Sequence, residues 1–181
     1  MLTFSCYRRG ALLVDEPHRL IVARALEAAF QKHGWLLNAF VFMPEHVHLL
    51  CVPWAEGASG AEDLLYAIKR PASSRVKLRM LEEGDPRLEG LTILERPGKW
   101  CFRFWQEGPG HDRNIRDGDE LGAVIEYIHK NPVKRGLCAS PEEWVWSSAR
   151  QYVNLPVSPE VPRVIRWSWG RGLELEPWGE R

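Results

Sequence analysis

The order of apolar runs and chain breakers predicts an α+β fold: a ferredoxin-like antiparallel sheet built β-α-β-β-α-β, with one added C-terminal helix. Three observations carry this. Two strand-like runs, WLLNAFVFM and HVHLLCVP, meet at the break Pro44-Glu45 and read as an antiparallel hairpin. A long stretch with helical periodicity lies on each side of that hairpin. A third such stretch follows the last apolar run. The 181 residues, 45% of them apolar, suit one domain over residues 1–155, followed by a tail over 156–181 that packs on the domain or is partly loose.

Taken in order, residues 2–9 (LTFSCYRR) read as the first strand. Asp15 and Pro17 offer a helix start, and Val22, Ala25, Leu26, Ala29 and Phe30 recur as the apolar stripe of an amphipathic helix. Gly34 stands where a helix C-terminus is expected. After the hairpin, Gly57 to Gly60 form a loop and residues 61–83 a second, basic helix with a potential interruption at Pro71. Residues 84–99, rich in proline, glycine and charge, read as a surface insertion. WCFRFWQ (100–106) supplies the fourth strand. The third helix spans Asp117 to His129 and ends near Asn131, because Pro132 disfavours helical geometry in the residue before it. Leu121, Ile125 and Ile128 form its expected buried stripe.

Composition narrows the setting. No apolar run reaches the roughly 18 residues of a membrane span, and MLTFSCYRRG lacks the features of a secretory signal, so a cytoplasmic protein is expected. The cysteines Cys6, Cys51, Cys101 and Cys138 form no C-x-x-C pair and read as small hydrophobes in a reduced compartment. Net charge is zero, yet Lys69, Arg70, Arg75, Lys77 and Arg79 follow one another with no acidic residue between them. Such a run is either a solvated helix face or a stripe that neutralises phosphates.

Two places can carry chemistry. On a strand His46 and His48 point the same way while Val47 packs into the opposite layer. Two imidazoles so placed can chelate one divalent metal, with a third ligand from elsewhere. On the last long helix Tyr127 shares a face with Asn131, at the edge of the apolar stripe, and His129 points away from it. A tyrosine there is either an amphipathic anchor or a reactive phenol.

Four blocks occur together and in order: MPEHVHLL, FWQ-x-G with a following DRNI, EYIHKNPVKRGL, and PEEWVWSSARQY. In this conjunction, from about residue 2 to residue 152, the chain resembles the REP-associated tyrosine transposases, a group of single-tyrosine HUH transposases. The resemblance implies that His46 and His48 bind the metal, with Asn131 as the third metal-site residue. It implies that Tyr127 is the nucleophile on the catalytic helix. The cofactor implied is a divalent cation, Mg²⁺ or Mn²⁺. The implied partner is single-stranded DNA with hairpin-forming repeats flanked by a short specific sequence, cleaved and rejoined through a 5′-phosphotyrosine link. Candidates for backbone contacts are Lys69, Arg70, Arg75, Lys77 and Arg79, with Lys130, Lys134, Arg135 and Arg150. Trp144 and Trp146 either stack on bases or, as favoured here, pack the C-terminal segment onto the core.

Two other readings stay open. A metal-dependent hydrolase could use the H-x-H pair to activate water, though His18, His33, His111 and His129 do not complete its ligand set. A catalytically retired DNA-binding protein of the same fold would not require all four of His46, His48, Tyr127 and Asn131, so the intact set argues against it. The segment 84–99 is long for the resemblance and the tail after 155 matches nothing in it, and the sequence leaves monomer or homodimer undetermined.

Overall fold

The computed structural model describes residues 1–108 and 110–166. Its centre is a four-stranded antiparallel sheet in the order β2-β3-β1-β6, formed by β1 (Leu2–Ser5), β2 (Trp35–Phe42), β3 (His46–Pro53) and β6 (His111–Asp112). The predicted hairpin is there, with Phe42 paired to Val47 and Val41 to His48. A register shift between Leu37 and Ala39 re-phases β2. In consequence Leu37, Phe40 and Phe42 face one layer while Ala39, Val41 and Met43 face the other.

Helices α1 (Glu16–His33) and α2 (Ala61–Glu83) cover the first of these faces. The stripe Val22, Ala25, Leu26, Ala29 and Phe30 is buried as expected, against Leu64, Ile68, Ala72, Val76 and Met80 of α2 and Phe4, Phe40, Phe42, Val47 and Leu49 of the sheet. Gly34 closes α1 at φ 70, and a Cβ there would lie 2.6 Å from that of Ala55, so both the backbone angle and the close approach favour glycine. Pro71 does not interrupt α2, which runs on through it. The buried residues on either side, Ile68, Ala72 and Val76, hold the helix to the core across that point.

The first strand is shorter than the reading over residues 2–9. It stops at Ser5, and Tyr7–Arg9 form a 3-10 turn in which Arg8 (φ 51) and Arg9 (φ 53) adopt the left-handed region. The fourth strand is also displaced. The insertion folds as α3 (Arg87–Leu91) and a separate hairpin of β4 (Thr92–Arg96) and β5 (Lys99–Phe102), which takes up the first half of the segment assigned to 100–106. Phe104 is then buried, Trp105 bridges Cys6, and the edge beside β1 is completed by β6. Gly110 permits this arrangement: at φ 94 it lies so close to β1 that a Cβ would stand 2.5 Å from the Thr3 carbonyl oxygen.

The other sheet face is covered by α4 (Gly118–Lys134), capped by Asp117, whose side chain accepts a hydrogen bond from the Glu120 amide at 2.8 Å. Leu121, Val124 and Ile128 bury against Ala39, Val41, Met43 and Leu50. Val124 thus takes the buried place expected of Ile125, which is half-buried. The helix runs past its expected end near Asn131 to Lys134. Pro132 falls within the last turn, where it is buried, and the Arg135, Gly136 and Leu137 amides close that turn on carbonyls of residues 131–133.

Residues 146–148 line the free edge of β2, with the Phe42 amide donating to Trp146 O and the Ser148 amide to Phe40 O. The chain continues through α5 (Ala149–Tyr152). Val161 and Val164 then bury in the α1–α2 core, and the Ile165 amide donates to Leu37 O. Residues 156–166 therefore pack on the domain; the rest of the tail, including its tryptophans, lies outside the described residues. Among the described residues no helix is long and apolar enough to cross a membrane.

Candidate active site

The register of the sheet builds the site. Thr3 pairs with His48 and Ser5 with His46, and in this phase both imidazoles face α4 while Val47 and Leu49 fill the opposite core. The two Nε2 atoms converge to 3.0 Å, with ring centroids 4.6 Å apart. Their outer nitrogens are held from behind. His46 Nδ1 lies 3.1 Å from Glu45 Oε1, and His48 Nδ1 lies 2.7 Å from Thr3 Oγ1. A carboxylate only accepts, so His46 carries its proton on Nδ1 and turns the Nε2 lone pair inward. With His46 Nε2 accepting, His48 Nε2 is the donor across the 3.0 Å contact and the Thr3 hydroxyl donates to His48 Nδ1. Because that hydroxyl can also accept, His48 can move its proton to Nδ1 when a cation takes both Nε2 lone pairs.

Both imidazoles are buried and neutral. Burial lowers the His46 pKa, with the Arg9 charge adding and Glu45 opposing. Burial, then the neighbouring His46 and Arg9, push His48 down to about 3. Burial alone would raise the Glu45 carboxyl, but the Arg135 hydrogen bond, the adjacent His46 and the Arg135 charge hold it below the usual range.

These features fit a divalent cation. Ligand atoms at about 2.1 Å on adjacent corners of an octahedral ion stand about 3.0 Å apart, the spacing of the two Nε2 atoms. A metal-bound imidazole commonly has its second nitrogen tied to a carboxylate or other polar group, as both do here. Among the described residues no group of three His, Cys, Asp or Glu side chains is placed to hold a metal. Asn131 is buried on α4, and its carboxamide hydrogen-bonds to neither imidazole nor any other described group.

Tyr127 lies on α4 with its ring edge-on to His48, centroids 5.4 Å apart, and the Lys134 ammonium stands 5.3 Å from the ring centre. It remains 40% exposed, so the phenol is held by the site and open to a large substrate. His129 points elsewhere, as expected: it is buried against Tyr152, with Nε2 2.8 Å from Ser148 Oγ.

The basic residues divide into separate groups. Arg135 joins the site through Glu45, and Lys134 through Tyr127. Lys130 pairs with Glu126 on the outer side of α4. The stretch on α2 belongs to the opposite layer, with the sheet between it and the histidines. There Arg75 and Lys77 are exposed, Arg70 donates to Tyr66 Oη at 2.7 Å, and Arg79 pairs with Glu83. Two candidates for DNA contact are engaged structurally. Lys69 donates to the carbonyls of Gln106 and Gly108, and Arg150 to those of Pro156 and Glu142. Trp144 donates to Phe42 O, and Trp146 stacks on Phe42 at 5.7 Å, so both serve packing.

Sequence reasoning missed Thr3, Arg9 and Glu45. Glu45 adjoins the histidines in the MPEHVHLL block and was the accessible signal. Thr3 becomes visible only once the pairing of β1 with β3 is fixed.

The comparisons with known proteins bear on the fold and the group the chain resembles. No family model matches the chain. A protein of Haemophilus influenzae named "Putative REP-associated tyrosine transposase" is 27% identical over 144 residues, covering 78% of this chain and 70% of that protein. A solved structure of a REP-associated tyrosine transposase bound to a REP hairpin superposes with a TM-score of 0.61 at 20% identity, covering 94% of this chain and 88% of that one. The chain resembles this group in sequence and shares its fold. In this chain the Tyr127 helix lies on the sheet face to which His48 points.

Proposed function

We propose that the protein is a metal-dependent tyrosine transposase that cleaves and rejoins single-stranded DNA at hairpin-forming repeats. The observation that carries the proposal is the conjunction of two convergent, outer-bonded imidazoles with an open tyrosine packed edge-on to one of them. The likeness to a transposase, and to a structure of one with a REP hairpin, supports the DNA class of substrate.

His46, His48 and Asn131 would hold a divalent cation, Mg²⁺ or Mn²⁺. When bound, it supplies Lewis-acid stabilisation of the charge that develops on the phosphate oxygens. The rest falls to the chain's own residues. Glu45 and Thr3 keep both Nε2 atoms aimed at one point. His48 positions the Tyr127 ring, and Lys134 places positive charge beside it. The Tyr127 oxygen attacks phosphorus, the bond from phosphorus to the 3′ oxygen breaks, and the phenolic proton is balanced by protonation of the departing 3′ oxygen. The products are a 5′-phosphotyrosine and a free 3′-hydroxyl. One phosphodiester replaces another, so a 3′-hydroxyl can reverse the step and rejoin DNA without a nucleotide cofactor.

The test is a denaturing gel of the protein with end-labelled single strands from the flanks of its own gene, in Mg²⁺ or Mn²⁺. Expected is a protein–DNA band that disappears in Tyr127→Phe and with chelator. Cleavage surviving in Tyr127→Phe would indicate the water-activating hydrolase. Tight, metal-independent binding with no adduct on any flank would indicate the retired DNA-binding protein.

A further inference from the structure

Glu45 does more in this structure than orient His46. Its buried Oε1 receives three groups: His46 Nδ1 at 3.1 Å, Arg135 Nη1 at 2.7 Å and Arg9 Nη2 at 3.3 Å. The two guanidinium groups come from distant parts of the chain. Arg9 sits in the left-handed turn after β1, and Arg135 follows α4, eight residues beyond Tyr127. Their side chains stay 63% and 48% exposed while the carboxylate they share is 9% exposed.

The arrangement leaves charge and donors over. One buried carboxylate faces two guanidinium ions, so the carboxylate neutralises only one of the two positive charges. Each guanidinium carries five N–H donors in a planar fork, and each uses one of them here. A structural ion pair would be complete with one arginine. Two arginines, both half-open to solvent and fixed at their inner ends by one carboxylate, make a preformed site for a tetrahedral oxyanion.

The geometry points to Arg9 and Arg135 as a second phosphate-binding site, which grips the DNA backbone beside the phosphate presented to Tyr127. Glu45 stands between the guanidinium groups and the His46 ring, so the anion they hold is distinct from the one at the Nε2 atoms. Because Glu45 also fixes His46, strand binding and imidazole orientation share one residue. Arg9 thereby gains a role in substrate binding, and Arg135 acquires a defined place in the site. This inference rests on the single-strand reading above.

The probe is a short fluorescein-labelled DNA single strand of mixed sequence, titrated in EDTA at several salt concentrations and read by anisotropy. Each phosphate contact to a single strand contributes about 0.7 to the slope of log K against log salt. Arg9→Gln and Arg135→Gln are each expected to make the slope shallower by about 0.7, and the double variant by about 1.4. The wild-type advantage over a single variant then shrinks by about 2.6-fold between 50 and 200 mM salt. Arg9→Lys, which keeps the charge, is expected to keep the slope. Binding by the wild type with slopes unchanged in both glutamine variants would overturn the phosphate site and leave the DNA reading standing. So would weaker binding at an unchanged slope, which signals a structural role. A wild type that binds no single strand would overturn both, and melting curves of each variant keep a folding defect from imitating the effect.

Discussion

The two faces of the sheet differ in what they bury. The face under α1 and α2 is a continuous apolar core of Phe4, Phe40, Phe42, Val47, Leu49 and the helix stripes, into which the C-terminal Val161 and Val164 also insert. The face under α4 has a small apolar cluster at one end, centred on Val41, Leu50 and Ile128. At the other end it holds His46, His48 and the inner edge of Tyr127. Period-two alternation along β3 sends Val47 and Leu49 to one face and His46 and His48 to the other, so one strand serves both. A large core on one side allows polar groups to be buried on the other.

The first way to break this comparison is to swap the roles of the faces by mutation. Tyr127→Phe is expected to abolish the covalent product while leaving the melting temperature nearly unchanged. Phe40→Ala, on the opposite face, is expected to cost about 3–5 kcal/mol in denaturant unfolding, with residual activity following the fraction folded. Loss of stability in the first variant, or none in the second, would dissolve the division.

Thr3 sharpens it further. Thr3→Val removes the hydroxyl behind His48 and keeps the β-branched shape, so Mn²⁺ affinity by calorimetry is expected to fall about 10–100-fold. The fold should be kept. An unchanged affinity would show that the His48 ring needs no support from β1.

The faces should also respond differently to acid. Burial holds His129 down to about 4 and His48, with help from neighbouring charges, down to about 3. For a base with a depressed pKa the unfolded chain takes up the proton first. The stability from keeping these rings neutral is therefore present above about 6.5 and is lost as pH falls toward 4 and then 3. Melting temperature should decline over that window, and His129→Gln should flatten the upper part of the decline. A flat profile in the wild type would contradict the burial of these rings.

The smallest effect is expected on the outer face of α2. Arg75 and Lys77 lie across the sheet from the site, so the double glutamine variant should change the rate of adduct formation by less than about twofold, within the range of surface substitutions. A larger loss would mean that DNA wraps to that face.

Much of this organisation could be read from the chain. The hairpin, the α1 stripe, the Gly34 stop and the shared side of His46 and His48 follow from local periodicity. The approach of Tyr127 to His48 does not, since it depends on how α4 lies on the sheet. The fourth strand was misplaced because WCFRFWQ has strand composition throughout. Pairing and burial divide it between β5 and a bridge at Trp105, and the two-residue β6 has no periodicity to detect. The basic run on α2 was legible as a charged stripe, but its side of the sheet was not. Helix packing, and not the charge pattern, decides which layer it occupies.

The central claim is that Tyr127 forms the covalent link to DNA. The most direct measurement is mass-spectrometric mapping of the tryptic peptide that retains a nucleotide remnant after the trapped adduct is digested with nuclease. The account predicts the remnant on Tyr127 alone, and its disappearance in His48→Ala. A remnant on Tyr7, Tyr66 or Tyr152, or cleavage with no remnant at all, would contradict it.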